Sequence, residues 1–328
     1  NMMFHARTRF FRSVGVAALR DISISLERGE TLSLVGESGS GKTTLARICL
    51  RLLDPTTGRV IFNGKDMTGA KENDLKQFRR KAQGVFQDPF SSLDPFMNVA
   101  QIVEEPLLIH HMKNHKARSE LVHWALGEVK LQPAKEFASK YPHMLSGGQR
   151  QRVAIARALV LQPEMIVADE PVSMIDASSK AEILTLLQEL QAQHSTSFIY
   201  ITHDIATARH FSHRIAVMYL GRIVETGPTR KVIENPLHPY TRALLEAVPL
   251  PDPANRFRLR AVVVGEPPSP VHPPLGCQFH PRCSYAIAGR CELVQPRLTE
   301  VTPAHHVECH LWPGANREAR LPENPHPH

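Results

Sequence analysis

At 328 residues, with 42% hydrophobic and 22% charged side chains, the chain has an ordinary globular composition and room for one large α/β core plus a smaller appended part. No apolar run approaches the roughly 18 residues that span a bilayer, and Val14–Leu19 is too short for a signal-peptide core, so a cytoplasmic protein is expected, peripheral if it serves a membrane. The net charge of +7 falls within residues 1–81 (15 Lys/Arg against 8 Asp/Glu), and by itself it reads as a solvated surface rather than a nucleic-acid face.

In chain order, the first informative element is the apolar run Thr31–Val35, which ends abruptly at Gly36. Short runs of this kind predict buried parallel strands. The next residues, Gly36-Glu37-Ser38-Gly39-Ser40-Gly41-Lys42-Thr43, fit the pattern G-x-x-x-x-G-K-[ST], and a helix is predicted over Lys42–Leu53. The glycines let backbone N–H groups turn inward around phosphate oxygens, at the positive end of the following helix. Lys42 is placed to reach the β/γ-phosphates and the Thr43 hydroxyl to bind Mg²⁺, with Thr44 completing the loop. Gln87 leaves a second short apolar strand, within reach of Mg²⁺ or the attacking water.

Leu145-Ser146-Gly147-Gly148-Gln149 then opens a helix predicted over Gly148–Leu161. Glycines at a helix start leave N–H groups open, so this is a second anion site, to which Ser146 adds a hydroxyl. Two phosphate-binding helix ends in one chain suggest a nucleotide held between two copies. The run Met165–Ala168 ends at Asp169-Glu170, where Asp169 is suited to Mg²⁺ and Glu170 to polarising a water for attack on the γ-phosphate. Phe198–Thr202 ends at His203, within hydrogen-bonding reach of that phosphate. A lone Gln or His at a strand end is ordinarily a satisfied polar group, and Gln87 and His203 gain weight only from their company. All these turns belong at the carboxyl ends of the strands, in one crevice.

Prolines mark a boundary: 18 of 26 fall at or after Pro228. Residues 1–235 read as the main domain, 236–275 as a Pro-rich linker with one short helix, 276–311 as a small Cys-rich module, and 312–328 as a disordered tail. Cys277, Cys283, Cys291 and Cys309 follow the spacing C-x5-C-x7-C-x17-C, without the paired C-x2-C knuckles of most structural zinc sites. Four thiolates in a loop-rich segment suit an iron–sulfur cluster first and zinc second. The segment lies far from the P-loop in sequence, and a structural rather than catalytic role is expected for it. Cys49 reads as a small core residue, and His280, His305, His306 and His310 as polar loop residues.

The order P-loop, Gln87 loop, LSGGQ, VADEP, Ser173-Met-Ile-Asp176 and His203 resembles that of the ABC ATPases, over residues from about 15 to 235. PLHPYTRALLEAVP and GCQFHPRC extend the resemblance to the oligopeptide/dipeptide importer subfamily. The resemblance implies an α/β fold: a RecA-like P-loop NTPase core with an ABC helical subdomain at about 88–145. It also implies an ATPase whose head-to-tail partner is a second ABC ATPase subunit, identical or related, each ATP lying between one P-loop and the partner's signature, with Asp176 contributing. Two membrane permeases at the cytoplasmic face, an extracytoplasmic solute-binding protein acting indirectly, ATP, Mg²⁺ held by Thr43, Gln87 and Asp169, and a [4Fe–4S] cluster on the four cysteines follow from it, as does the uptake of peptides or similar small solutes. Nucleic-acid work is the rival reading, but only 57 residues separate Gln87 from Leu145, with no heptad run for a coiled coil. Ile175 stands where the family usually has leucine, a mild change. Phe10 and Phe11, and more weakly Phe4, are the candidates for stacking on adenine.

Overall fold

Thr31–Val35, Met165–Asp169 and Ser197–Thr202 are buried at every position. Strands apolar on both faces suit a parallel sheet covered on both sides. The computed structural model, which describes residues 1–7, 13–88, 92–248, 265–314 and 319–322, has such a sheet at its centre. Its strands are β1 (Met2–Arg7), β2 (Ser13–Leu19), β3 (Thr31–Val35), β4 (Ile61–Phe62), β5 (Lys65–Asp66), β6 (Ala82–Val85), β7 (Met165–Asp169), β8 (Ser197–Thr202), β9 (Arg214–Tyr219), β10 (Arg222–Pro228), β11 (Thr299–Thr302) and β12 (His305–Val307). The helices are α1 (Lys42–Cys49), α2 (Glu72–Lys81), α3 (Val99–Ile109), α4 (His115–Glu128), α5 (Ala134–Ser139), α6 (Gly147–Leu159), α7 (Ala177–His194), α8 (Ile205–Phe211), α9 (Thr229–Glu234) and α10 (Pro239–Glu246).

The main sheet has the order β11-β12-β10-β9-β3-β8-β7-β6. The five strands from β9 to β6 run parallel, and β10, β12 and β11 continue the sheet antiparallel at one edge. The segment 276–311, which the sequence sets off as a module, is therefore stitched into the main sheet, with Glu225 opposite Val307 and Thr226 opposite His306. Helices α3, α4 and α5 lie between β6 and α6, and share a core in which Ile102, Val103, Leu126 and Ile155 are buried. Among the described residues no helix is long and apolar enough to cross a membrane.

Helix α1 stops at Cys49, short of the predicted Leu53, because Arg51 turns to φ +52°. Its buried guanidinium donates to the Met67 carbonyl at 2.8 Å and the Thr68 carbonyl at 2.6 Å, and pairs with Asp54. Those bonds outweigh the fraction of a kcal/mol that another helical residue contributes. Cys49 packs beside Leu45 and Ile48 as a core neighbour, and burial pushes its thiol up to about 12.

One buried carboxylate ties the C-terminal segments to the sheet. Glu225 on β10 is fully buried, and accepts N–H bonds from Leu237 at 2.7 Å and His238 at 3.0 Å and a contact from His305 Nε2 at 2.7 Å. His305, expected as a loop residue, thus sits on β12 at 1% exposure. Removing a donor would leave a buried carboxyl oxygen without a partner, at a cost of about 1–3 kcal/mol. The linker follows the same logic: Trp312 donates to the Leu237 carbonyl at 2.8 Å, and Tyr240, Phe279 and Tyr219 form one aromatic cluster with centroids 4.8–5.4 Å apart.

Candidate nucleotide site

Strand β3 delivers Gly36 to the carboxyl edge of the sheet, hard against β9. A Cβ at Gly36 would lie 2.2 Å from the Met218 carbonyl, so no side chain fits there. Gly41 turns at φ +100° as the N-cap of α1, with no side chain bonded to the first N–H groups of that helix. The start of α1 thus leaves backbone N–H groups open beside the loop, at a helix N-terminus. Lys42 is buried and its ammonium folds back onto the Gly36 carbonyl (2.7 Å), the Glu37 carbonyl (2.8 Å) and Ser40 Oγ (3.3 Å). Burial lowers its affinity for a proton, opposed by the charges of Glu170, Asp169 and Glu37.

Gln87, Glu170 and His203, spread over 116 residues of sequence (203 − 87), meet at one oxygen. Gln87 Nε2 donates to Glu170 Oε2 at 3.1 Å, and His203 Nδ1 lies 3.3 Å from the same atom. Glu170 is held at φ +46°, a conformation that a non-glycine residue adopts only under constraint. The constraint is visible: its N–H donates to the Ile201 carbonyl at 3.0 Å, and its own carbonyl accepts from Ser173 N (3.2 Å) and Ser173 Oγ (3.0 Å).

Asp169, one residue earlier, is buried, and its Oδ1 has no hydrogen-bond partner. Burial pushes its carboxyl up, against a hydrogen bond with Thr43 and the charge of Lys42. An orphaned carboxylate oxygen beside a threonine hydroxyl fits a hard divalent cation, which takes oxygen ligands.

The LSGGQ residues form the start of α6. Ser146 is the N-cap, with Gln149 N donating to Ser146 Oγ at 3.3 Å and Ser146 N to Gln149 Oε1 at 3.0 Å, a reciprocal capping box. The serine oxygen accepts within the cap, and its O–H remains a donor. Gly147 and Gly148 lie against the 173–176 loop and its helix: their Cβ atoms would stand 3.6 Å from Ile175 and 3.0 Å from Ser179 Oγ. Asp176 caps α7, accepting from Ser179 N at 2.9 Å, and the Ser178 hydroxyl, with Ser179 N second, holds its carboxyl far below the usual range. Among the described residues, no hydrogen bond or ion pair joins 145–149 to the P-loop of the same chain. Phe10 and Phe11 lie outside the described residues, and Phe4 is a half-exposed residue of β1.

The four C-terminal cysteines are gathered but not closed around a point. Cys277 N donates to the Cys291 carbonyl at 2.8 Å, and Cys309 lies within electrostatic reach of Cys277, Cys283 and Cys291. Burial pushes Cys277 up to about 11 and Cys283 and Cys309 up to about 12. Among the described residues, no three His, Cys, Asp or Glu side chains are arranged to hold a single metal ion. Sequence reasoning missed what the cysteine loop touches. Arg282, inside it, forms a two-pronged pair with Glu37 of the P-loop, and the Tyr240 hydroxyl accepts from Glu37 N at 2.9 Å.

This is a P-loop NTPase fold, with a second glycine-bearing, serine-capped helix start on the same chain. Comparison with known proteins agrees. The ABC transporter family model matches residues 19–173, and that of the oligopeptide/dipeptide transporter C-terminal region matches residues 224–291. The probable peptide ABC transporter ATP-binding protein y4tS of Sinorhizobium fredii is 49% identical over 90% of this chain and 83% of its own length. The oligopeptide transport ATP-binding protein AppF of Bacillus subtilis is 46% identical over 92% of each chain, and the di/tripeptide transport ATP-binding protein DppF of Pseudomonas aeruginosa is 46% identical over 90% of each. Among solved structures, the dimeric ABC cassette MJ0796 bound to ADP and Pi superposes with a TM-score of 0.61 at 31% identity, covering 70% of this chain and 97% of that one. The cassette cbiO1 of Clostridium perfringens gives 0.61 at 29% identity, covering 71% and 89%. The chain belongs to the ABC transporter ATP-binding proteins, as an ATPase coupled to transport.

Proposed function

We propose that the chain drives peptide import, pairing head to tail with a second ATPase subunit at the cytoplasmic face of the membrane. The observation that carries the ATPase chemistry is the convergence of Gln87 and His203 on Glu170 Oε2, beside the Asp169–Thr43 pair. Glu170 accepts a proton from water as the water oxygen attacks the γ-phosphorus and the bond to ADP breaks. Gln87 orients that water, and His203 donates to the γ-phosphate. Mg²⁺, held by Thr43, Asp169 and Gln87, would neutralise charge on the β- and γ-oxygens. Residues 36–44 cradle the triphosphate, and Ser146, Gly147, Gly148 and Gln149 of the partner close over it, with Asp176 positioning the loop between them.

Coupling to two permeases is supported by a groove of about 720 Å³ that Phe86, the residue before Gln87, helps to line, between α2, β6, α3 and α6. Leu52, Phe86 and Ile109 line it and are exposed. Peptide cargo is supported by the C-terminal region and the relatives, with a solute-binding protein selecting it outside the membrane. In an assembly of the chain with its permeases and binding protein, ATP hydrolysis should rise on adding peptide-loaded binding protein and not on adding the empty one. Stimulation by a sugar-loaded protein instead would reassign the cargo.

We also propose that Cys277, Cys283, Cys291 and Cys309 hold a [4Fe–4S] cluster with a structural role. Four clustered thiols support it, and a cubane spaces its thiolates farther apart than one ion does. Anaerobically purified protein should be brown, with iron and acid-labile sulfide, and any single Cys→Ser change among the four should bleach it. Colourless protein with stoichiometric zinc would decide for zinc, and protein without metal for reduced thiols.

A further inference from the structure

The second residue of the P-loop, Glu37, is an acid in a loop whose backbone is shaped to receive a highly charged anion. Its carboxylate is three-quarters buried, so solvent screens it poorly. One cation faces it from the far end of the chain. Arg282, 6% exposed, donates from Nη1 to Glu37 Oε2 at 2.9 Å and from Nη2 to Oε1 at 3.1 Å. The guanidinium is itself held in place: Nη1 lies 3.4 Å from the Tyr219 hydroxyl, and its carbon 5.9 Å from that ring's centroid. Tyr219 ends β9, one residue after the carbonyl that excludes a side chain at Gly36, and Phe279 of the cysteine loop packs edge-on against it at 5.3 Å.

We propose that Arg282 is a positioning residue for nucleotide binding: it neutralises Glu37 and fixes it away from the phosphates, making the loop between Cys277 and Cys283 part of the nucleotide site. The inference rests on the ATP site described above. A fork-to-fork pair is both geometrically specific and stronger than a neutral hydrogen bond. Without it, Glu37 becomes an unbalanced negative charge in the loop that must accept a triphosphate. Glu37 also sits beside the loop's own cation, since Lys42 Nζ donates to the Glu37 carbonyl at 2.8 Å.

The test is nucleotide affinity of the full chain, read by a fluorescent ATP analogue and by competition with ATP and ADP. Arg282→Ala should weaken ATP by about fivefold, the lower end of ordinary site-to-site coupling, and ADP by less, because repulsion scales with phosphate charge. KM for ATP should rise with little change in kcat. Adding Glu37→Gln to Arg282→Ala should recover most of the loss, which no loosening of the C-terminal segment would allow. Arg282→Lys, which keeps the charge and most of the packing, should fall between parent and Arg282→Ala, and it serves if the alanine variant does not fold. Parent-like ATP affinity in Arg282→Ala would overturn the proposal, as would equal losses of ATP and ADP without rescue by Glu37→Gln. Failure of the parent itself to bind ATP would instead strike the site assignment.

Discussion

Glu170→Gln should lower ATP turnover by about 10²–10⁴-fold, the range that a positioned general base contributes. The amide keeps the size and the contacts with Gln87 and His203 at the position where the two side chains converge, but no longer accepts a proton. ATP binding should persist, because Lys42, the open N–H groups at the start of α1 and the Asp169–Thr43 pair are untouched. With hydrolysis blocked, ATP should accumulate in a closed dimer. Near-parent turnover in the variant would remove Glu170 from the role of base and leave its backbone at φ +46° without a catalytic reason.

Ser146→Arg should abolish ATP-driven dimerisation while leaving ATP bound at the variant's own P-loop. The serine caps α6, and among the described residues its loop has no hydrogen bond or ion pair to the P-loop of its own chain, so in the proposed shared site bulk placed there would meet a partner's nucleotide. The change also breaks the capping box, worth about 1 kcal/mol. Ser146→Ala is the control, since it loses the same cap without the bulk and should still dimerise. Dimerisation of Ser146→Arg with ATP, on a sizing column at the parent's position, would show that the signature faces no nucleotide.

The parallel core was readable because each of its chemistry-bearing strands is short, buried at every position, mostly apolar, and ended by a functional residue. Thr31–Val35, Met165–Asp169 and Ser197–Thr202 carry this signature without interruption. The P-loop and LSGGQ were readable because their glycines answer local demands, a left-handed turn at Gly41 and a close approach to β9 at Gly36. Contacts between residues distant in sequence left no such mark. Glu225 with His305, and Glu37 with Arg282, are 80 and 245 residues apart, and nothing near either acid announces a partner. Strands β11 and β12 were equally hidden, because four and three residues are too few to show an alternation. Helix α1 overran in the sequence reading for a related reason: Arg51 suits a helix well, and only its buried bonds to Met67 and Thr68 turn it aside.

The claim on which the rest depends is that each working site takes its P-loop from one subunit and its signature from another, and mixing two disabled variants tests it most directly. Lys42→Ala removes the P-loop cation but keeps the signature, and Ser146→Arg does the reverse. Neither alone should trap ATP in a dimer or hydrolyse it. Mixed in equal amounts, they should form dimers with one complete site, trapping one ATP per pair and regaining hydrolysis, which a third preparation carrying Glu170→Gln on the Ser146→Arg chain should again abolish. A mixture as inactive as its components, or a Ser146→Arg protein that hydrolyses ATP unaided, would contradict the shared site.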